Sequence, residues 1–229
     1  YLEAGGSHVL PVIGKGEFPT VIKFFKLMGK TPFVLADCDN LADGMMLANC
    51  FLNSARGNSL AAASGVRSGS ELSQSIYSDF CSLVTNHWED VSDIAVQTSY
   101  YNIGDTSNEQ QRRRRSALVG ILTDDPAQIG NLPSQWHNIK KRLELLLSIL
   151  QDLGCFILRK GTIEDYFTNS TPPTQSTKPG AAIDESLRIQ EMPASDLEEH
   201  YADIISCLRS SCESASVNEG ETLLDLLLS

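Results

Sequence analysis

Phe33-Val34-Leu35-Ala36-Asp37-Cys38-Asp39 is the stretch on which the reading of this chain turns. It follows Pro32, and four apolar residues in a row give way to two carboxylates separated by one residue. A strand apolar on both faces belongs to a parallel sheet covered by helices. Open sheets of that kind place their chemistry beyond the carboxyl ends of their strands, where Asp37 and Asp39 fall. Upstream, His8-Val9-Leu10-Pro11-Val12-Ile13 reads as another strand, stopped by the turn Gly14-Lys15-Gly16. Phe18, Val21, Ile22, Phe25 and Met28 then share one helical face, with Pro19 in the first turn and Gly29 at the stop. Together these predict a β-α-β unit with parallel strands and a right-handed crossover.

A helix is expected next, around Asp43 to Leu52. Residues 54–70, rich in Ser, Gly and Ala, read as a mobile loop. Leu72, Ile76, Phe80, Leu83 and Val84 trace a helix, and a polar stretch from Thr98 to Gln111 leads into Arg112-Arg113-Arg114-Arg115 and the apolar run Ala117 to Leu122. Trp136, Ile139, Leu143, Leu146, Leu147 and Leu150 mark a further helix, ended by Gly154. Cys155-Phe156-Ile157-Leu158 resumes the strand pattern, and Thr168 to Pro179 reads as a loop. Leu197, Tyr201, Ile204, Ile205 and Leu208 define a late helix, and Leu223 to Leu228 a short apolar tail. The fold class is α/β: a parallel sheet with flanking helices, a helical insertion and a helical C-terminal region. The expected organisation is a first part of the sheet core in residues 1–53, the insertion in 54–153, and the rest of the core with C-terminal helices in 154–229.

Composition narrows the function classes. With 18 basic and 29 acidic side chains the net charge is −11, which argues against coating nucleic acid by bulk electrostatics. It is compatible with an enzyme that reaches a phosphodiester through metal ions, since carboxylates hold those ions. The six cysteines form no C-x-x-C pair, so reduced, packing thiols in a cytoplasmic protein are expected, with Cys207 and Cys212 on a helix. No apolar run approaches the roughly 18 residues that span a bilayer. Residues 1–6 carry no leader pattern, and the absence of an initiator Met predicts that the natural start lies upstream.

Asp37 and Asp39 can turn toward a common cation, and so sparse an acidic pair suits Mg2+ or Mn2+, which keep several waters. A strand-to-helix turn also favours Asp as an N-cap, and the two readings stand side by side. Gly14-Lys15-Gly16 fails the Walker pattern at two positions, with Val9 at the first glycine and Gly16 in place of Ser or Thr, leaving a tight turn or a phosphate-contacting Lys15. Glu164-Asp165 is either a third carboxylate for the same edge or N-terminal acidity complementing a helix dipole. Arg112 to Arg115 is either a DNA-contacting patch or a solvated face. The histidines, at 8, 87, 137 and 200, form no zinc motif, and no G-x-S-x-G elbow is present.

Strand, Gly-Lys-Gly, helix and Val34-Leu35-Ala36-Asp37-Cys38-Asp39, in that order, resemble the Toprim domain of the overcoming-lysogenization-defect (OLD) family of ATPase-nucleases. Leu158-Arg159-Lys160-Gly161-Thr162-Ile163-Glu164-Asp165-Tyr166-Phe167 is similar to that family's second landmark, a Lys-Gly-x-hydrophobic-Glu-Asp block after a later strand. The match covers residues 8–52 and 155–183. The resemblance implies a nuclease that uses two divalent ions, Mg2+ or Mn2+, to hydrolyse the DNA backbone. Asp37 and Asp39 would bind metal, Glu164 would complete the acidic edge as ligand and catalytic group, and Lys178 would offset charge at the scissile phosphate. It further implies an upstream ATPase domain on the same polypeptide, which alone would bind ATP, a homo-oligomer, and a role in antiviral defence. The family's earlier strand, ending in a Glu, has no counterpart before His8: either it lies upstream, as the missing Met favours, or the protein lacks it, and the chain by itself is then expected to bind metal poorly and to cut nothing. Two other functions fit an Asp-x-Asp at a strand end: an aspartate-based magnesium phosphotransferase or phosphatase, and a non-catalytic scaffold of the same fold.

Overall fold

A computed structural model of the chain describes residues 8–12, 14–95, 107–123, 134–167 and 178–214. A turn of 3-10 helix at Lys15–Glu17 leads into α1 (Phe18–Leu27), with Pro19 in its first turn and Gly29 at φ 70° closing it. β1 (Val34–Asp37) follows and includes Asp37 as its last residue. Then come a 3-10 helix (Cys38–Leu41), α2 (Met46–Leu52), α3 (Ala55–Ala63) and α4 (Gly69–Asn86). Helices α5 (Ser92–Ala95), α6 (Ser107–Thr123) and α7 (Ser134–Asp152) complete the helical stretch before β2 (Cys155–Leu158). Beyond it lie a 3-10 helix (Ile163–Tyr166), α8 (Lys178–Glu191), α9 (Ala194–His200) and α10 (residues 202–214).

β1 and β2 pair in parallel, with Val34 opposite Cys155 and Asp37 opposite Leu158. The ladder runs on at both ends: the Val34 N–H donates to Gly154 O at 2.9 Å and the Cys38 N–H to Gly161 O at 2.9 Å. The described residues are thus mostly helical around a two-stranded parallel sheet, an α/β arrangement. The expected N-terminal strand is corrected here. Residues 8–12 form no strand, and Val9 and Leu10 are 75% and 59% exposed; Ile13 lies outside the described residues. Pro11 has no N–H to give a ladder, and the neighbour of β1 is supplied instead by β2. The sheet therefore forms across the whole helical stretch rather than within a local β-α-β unit.

Residues 54–70 are not a loop. Ser54 and Ser68 each cap a helix, their hydroxyls accepting the N–H of Gly57 at 2.9 Å and of Glu71 at 3.1 Å. The small residues serve close packing rather than mobility. A Cβ on Gly57 would stand 2.5 Å from Leu52 O, and one on Gly69 2.9 Å from the Leu52 Cβ, so α3 and α4 close on α2 only as glycines. Ala117 to Leu122 likewise belongs to α6 rather than to a separate short element. Lys178 and Pro179, expected in a loop, open α8, and the late helix is divided at Tyr201 into α9 and α10. Most of the Thr98–Gln111 stretch and the Leu223–Leu228 tail lie outside the described residues.

Two cores lie on the two faces of the sheet. Val34, Ala36 and Ile157 join the larger one, built by Leu72, Ile76 and Phe80 of α4, Leu118 and Leu122 of α6, and Leu143, Leu146 and Leu150 of α7. Leu35 and Leu158 face a smaller one made with Tyr166, Ile189, Leu197, Tyr201 and Ile205. The period-2 alternation of a strand separates them. The cysteines are free thiols, with Cys38, Cys155 and Cys207 buried and Cys212 half-buried. Among the described residues, no helix is long and apolar enough to cross a membrane.

Candidate acidic site at the strand ends

Because β1 and β2 are parallel, the residues that follow each of them emerge at the same end of the sheet. Asp37 closes β1, and its backbone is fixed by the Asn40 amide, which donates to Asp37 O at 3.1 Å. Asp37 stands at the N-cap position of the 3-10 helix, yet its carboxylate makes no capping bond, so the capping reading does not account for it. After β2, Thr162 and Asp165 form a reciprocal capping box: Asp165 Oδ2 accepts from the Thr162 N–H at 2.6 Å and from its hydroxyl at 2.9 Å. Asp165 is therefore a cap, and Glu164 is the carboxylate of that pair turned to the edge.

Four side chains singled out in the sequence, Asp37, Asp39, Glu164 and Lys178, meet here. Burial pushes the Asp37 carboxyl up to about 6, and the charges of Asp39 and Glu164 push in the same direction, against the Ile163 N–H and Lys178. Burial also raises Glu164, but the Lys178 ammonium at 2.6 Å, backbone hydrogen bonding and Thr162 outweigh it and hold that carboxyl below its ordinary value. Lys15 Nζ lies 2.8 Å from Asp39 Oδ2 and 2.5 Å from Asp43 Oδ2. Burial lowers its pKa, and those two carboxylates more than reverse the effect, so Lys15 stays charged. Arg112 approaches Asp43 at 3.8 Å. Asp43 had no place in the sequence-based site. Its spacing of four from Asp39, ahead of the Gly44 turn at φ 87°, was the available signal.

The arginine run is half-buried apart from Arg112. Arg115 Nε donates to Ala42 O at 2.9 Å and its guanidinium lies over the Tyr77 ring, while Arg114 stacks over Trp88 at 4.9 Å. Arg112, the exposed member, is the one at the acidic edge.

A second polar cluster lies on the other face of β2, beside a cavity of about 280 Å³ lined in part by Thr123, Lys160 and His200. The Tyr166 hydroxyl donates to Asp203 and accepts the Arg159 N–H at 3.1 Å. Lys160 lies over the Tyr166 ring and donates to His200 O at 3.0 Å. Further along, Glu185 accepts from Tyr201 and from Arg188.

The donor set at the acidic edge fits a hard divalent cation in its chemistry: Asp37, raised first by burial, also feels the charges of Asp39 and Glu164. Among the described residues, however, no group of three or more His, Cys, Asp and Glu side chains closes to metal-holding geometry. Ammonium groups engage the oxygens of Asp39 and Glu164 instead. No protein-family description, curated protein or solved structure matches the chain.

Proposed function

We propose that the chain is the nuclease portion of a Toprim-like, OLD-type protein and hydrolyses DNA phosphodiesters with Mg2+ or Mn2+. The observation that carries this reading is the convergence of Asp37, Asp39 and Glu164 at the carboxyl ends of two paired parallel strands, with Lys178 beside Glu164. Asp37, Asp39 and Glu164 are the residues that would hold the cation, whose contribution is Lewis acidity toward the phosphate and the attacking water. The protein's own part is to hold the three carboxylates at one edge, where burial and the neighbouring charges oppose ionisation of Asp37 while Lys178 favours that of Glu164. Lys178 offsets negative charge as it develops on the phosphate, a role suited to an ammonium already seated at the edge. An upstream ATPase domain, self-association and service in antiviral defence in the cytoplasm complete the proposal and rest on the resemblance alone.

An aspartyl-phosphate route needs Asp37 as an ionised nucleophile at neutral pH. Asp37 at about 6 meets that need, but the route has no use for the Glu164–Lys178 pair brought to the same edge from beyond β2, which a cation site employs. The same fold serving only as a scaffold would have no use for that convergence.

The test is nicking of supercoiled plasmid in Mg2+ or Mn2+ by the full-length protein, with the upstream strand included, and by its Asp37→Asn variant. Metal-dependent nicking that vanishes in the variant is the expected result. Equal nicking by both proteins, or none by the wild type, overturns the reading.

A further inference from the structure

We propose that Lys15 is an internal counter-cation that must leave Asp39 before a divalent ion binds there, with Asp43 as the seat that receives it. The inference rests on the reading of the edge as a cation site. Three observations carry it. Lys15 Nζ is within hydrogen-bond distance of both carboxylates, 2.8 Å from Asp39 and 2.5 Å from Asp43, so a short swing about its flexible stem lets it keep one while releasing the other. Asp43 is braced from behind: Arg112 reaches it at 3.8 Å, and Arg115, one helical turn on, ties the neighbouring Ala42 carbonyl at 2.9 Å. Asp39 and Asp43 stand at either end of one compact turn, the 3-10 helix Cys38–Leu41 and its continuation, so the two seats hold a fixed spacing.

Competition follows from linkage. An ammonium resting on Asp39 lowers the apparent affinity for any other cation there by one plus its own occupancy constant. A partly exposed ammonium–carboxylate pair of this kind shifts an equilibrium by up to about fivefold. Asp43 moderates that effect, because a lysine that leaves Asp39 keeps a partner. Removing Asp43 ties Lys15 more firmly to Asp39. Lys178 differs in forming its ion pair with one carboxylate, Glu164 at 2.6 Å, while it acts on Asp37 through its charge.

Mn2+ titration calorimetry on the wild type, Lys15→Met, Asp43→Asn and the double variant tests the proposal, with melting curves to establish that each is folded. Lys15→Met is expected to bind Mn2+ about three- to fivefold more tightly. Asp43→Asn is expected to bind several-fold more weakly, and that loss should disappear in the double variant. General charge effects would instead add, so additive changes overturn the proposal, as does unchanged or weaker binding by Lys15→Met. Asp37→Asn in the Lys15→Met background should abolish binding, which ties the ion to this edge. If no variant binds Mn2+, the cation-site reading falls and this inference with it. If the wild type binds and Lys15→Met binds no more tightly, this inference alone falls.

Discussion

At the acidic edge, Asp39 and Glu164 each hold a lysine ammonium, while Asp37 faces both with a carboxyl raised to about 6. On the other face of β2, Asp203 is bonded to the Tyr166 hydroxyl and Glu185 to Tyr201 and Arg188. Both regions mix carboxylates with cations, and they differ in the kind of partner. A tyrosine on a packed ring and a planar guanidinium are fixed in direction, so the second cluster cross-links α8, the turn after α9 and the end of β2. Lysines on four-carbon stems exchange partners readily. Exposure does not separate them, since the Asp203 side chain is 21% and that of Glu164 18% exposed, and the kind of partner does. Fixed partners stabilise a fold; exchangeable ones leave room for a ligand.

The widest separation between the regions should appear on exchanging their acids. Asp37→Asn is expected to lower metal-dependent nicking by at least about 100-fold, the order seen when a single charge-stabilising group is lost from a site, without loss of thermal stability. Glu185→Ala should do the reverse. It leaves the Tyr201 hydroxyl and the partly exposed Arg188 guanidinium with each other but without their buried carboxylate, and urea denaturation should show a loss of about 2 kcal/mol, with nicking by the folded protein unchanged. Equal loss of nicking in both variants would dissolve the distinction.

A smaller effect separates the regions by pH. The folded Asp37 carboxyl titrates at about 6 against 3.8 for an ordinary aspartate, so the native state holds the extra proton between those values. Stability contributed by such a group is present at low pH and declines as pH rises through that interval, then stays level. Asp37→Asn removes the decline. The difference in melting temperature between variant and wild type should therefore widen in the variant's favour from about pH 4 to about pH 6 and remain constant above. A difference that stays flat across the interval would mean that the Asp37 carboxyl is not raised.

The closeness of Asp37, Asp39 and Glu164 was foreshadowed in the sequence because the first two follow a strand and the third follows Lys160-Gly161, and strand ends in parallel sheets are local features, whereas Lys178 entered only through the resemblance. Both strand segments of the sheet were legible for the same reason, and so were α1, α4 and α7, whose apolar spacing is strong. The pairing was not. Leu10 and Val12 look as much like a strand as Phe156 and Ile157, and only the tertiary structure selects which lies beside β1. Residues 54–70 misled because Ser and Gly mark loops by composition, while here Ser54 and Ser68 start helices and Gly57 and Gly69 admit Leu52. Asp43 was passed over because its partner Lys15 lies far back in the chain, and an ion pair between distant positions leaves no periodic trace.

The arginine run divides along the same line, with the smallest expected effects. Arg114 lies over the Trp88 ring at 4.9 Å and is half-buried, so Arg114→Ala should cost about 1 kcal/mol in a urea titration. Arg112 pairs with Asp43 at 3.8 Å from an exposed position, and its replacement by Ala should change stability by less than about 1 kcal/mol. Arg112 is also the member of the run beside the acidic edge, where a phosphate backbone would pass if the edge cleaves DNA. Arg112→Ala should then flatten the salt dependence of duplex binding by about one unit of log-log slope, and Arg114→Ala should leave it unchanged. Matching slopes in the two variants would assign the entire run to the core side of α6, and Arg112 would belong with the fixed partners rather than the exchangeable ones.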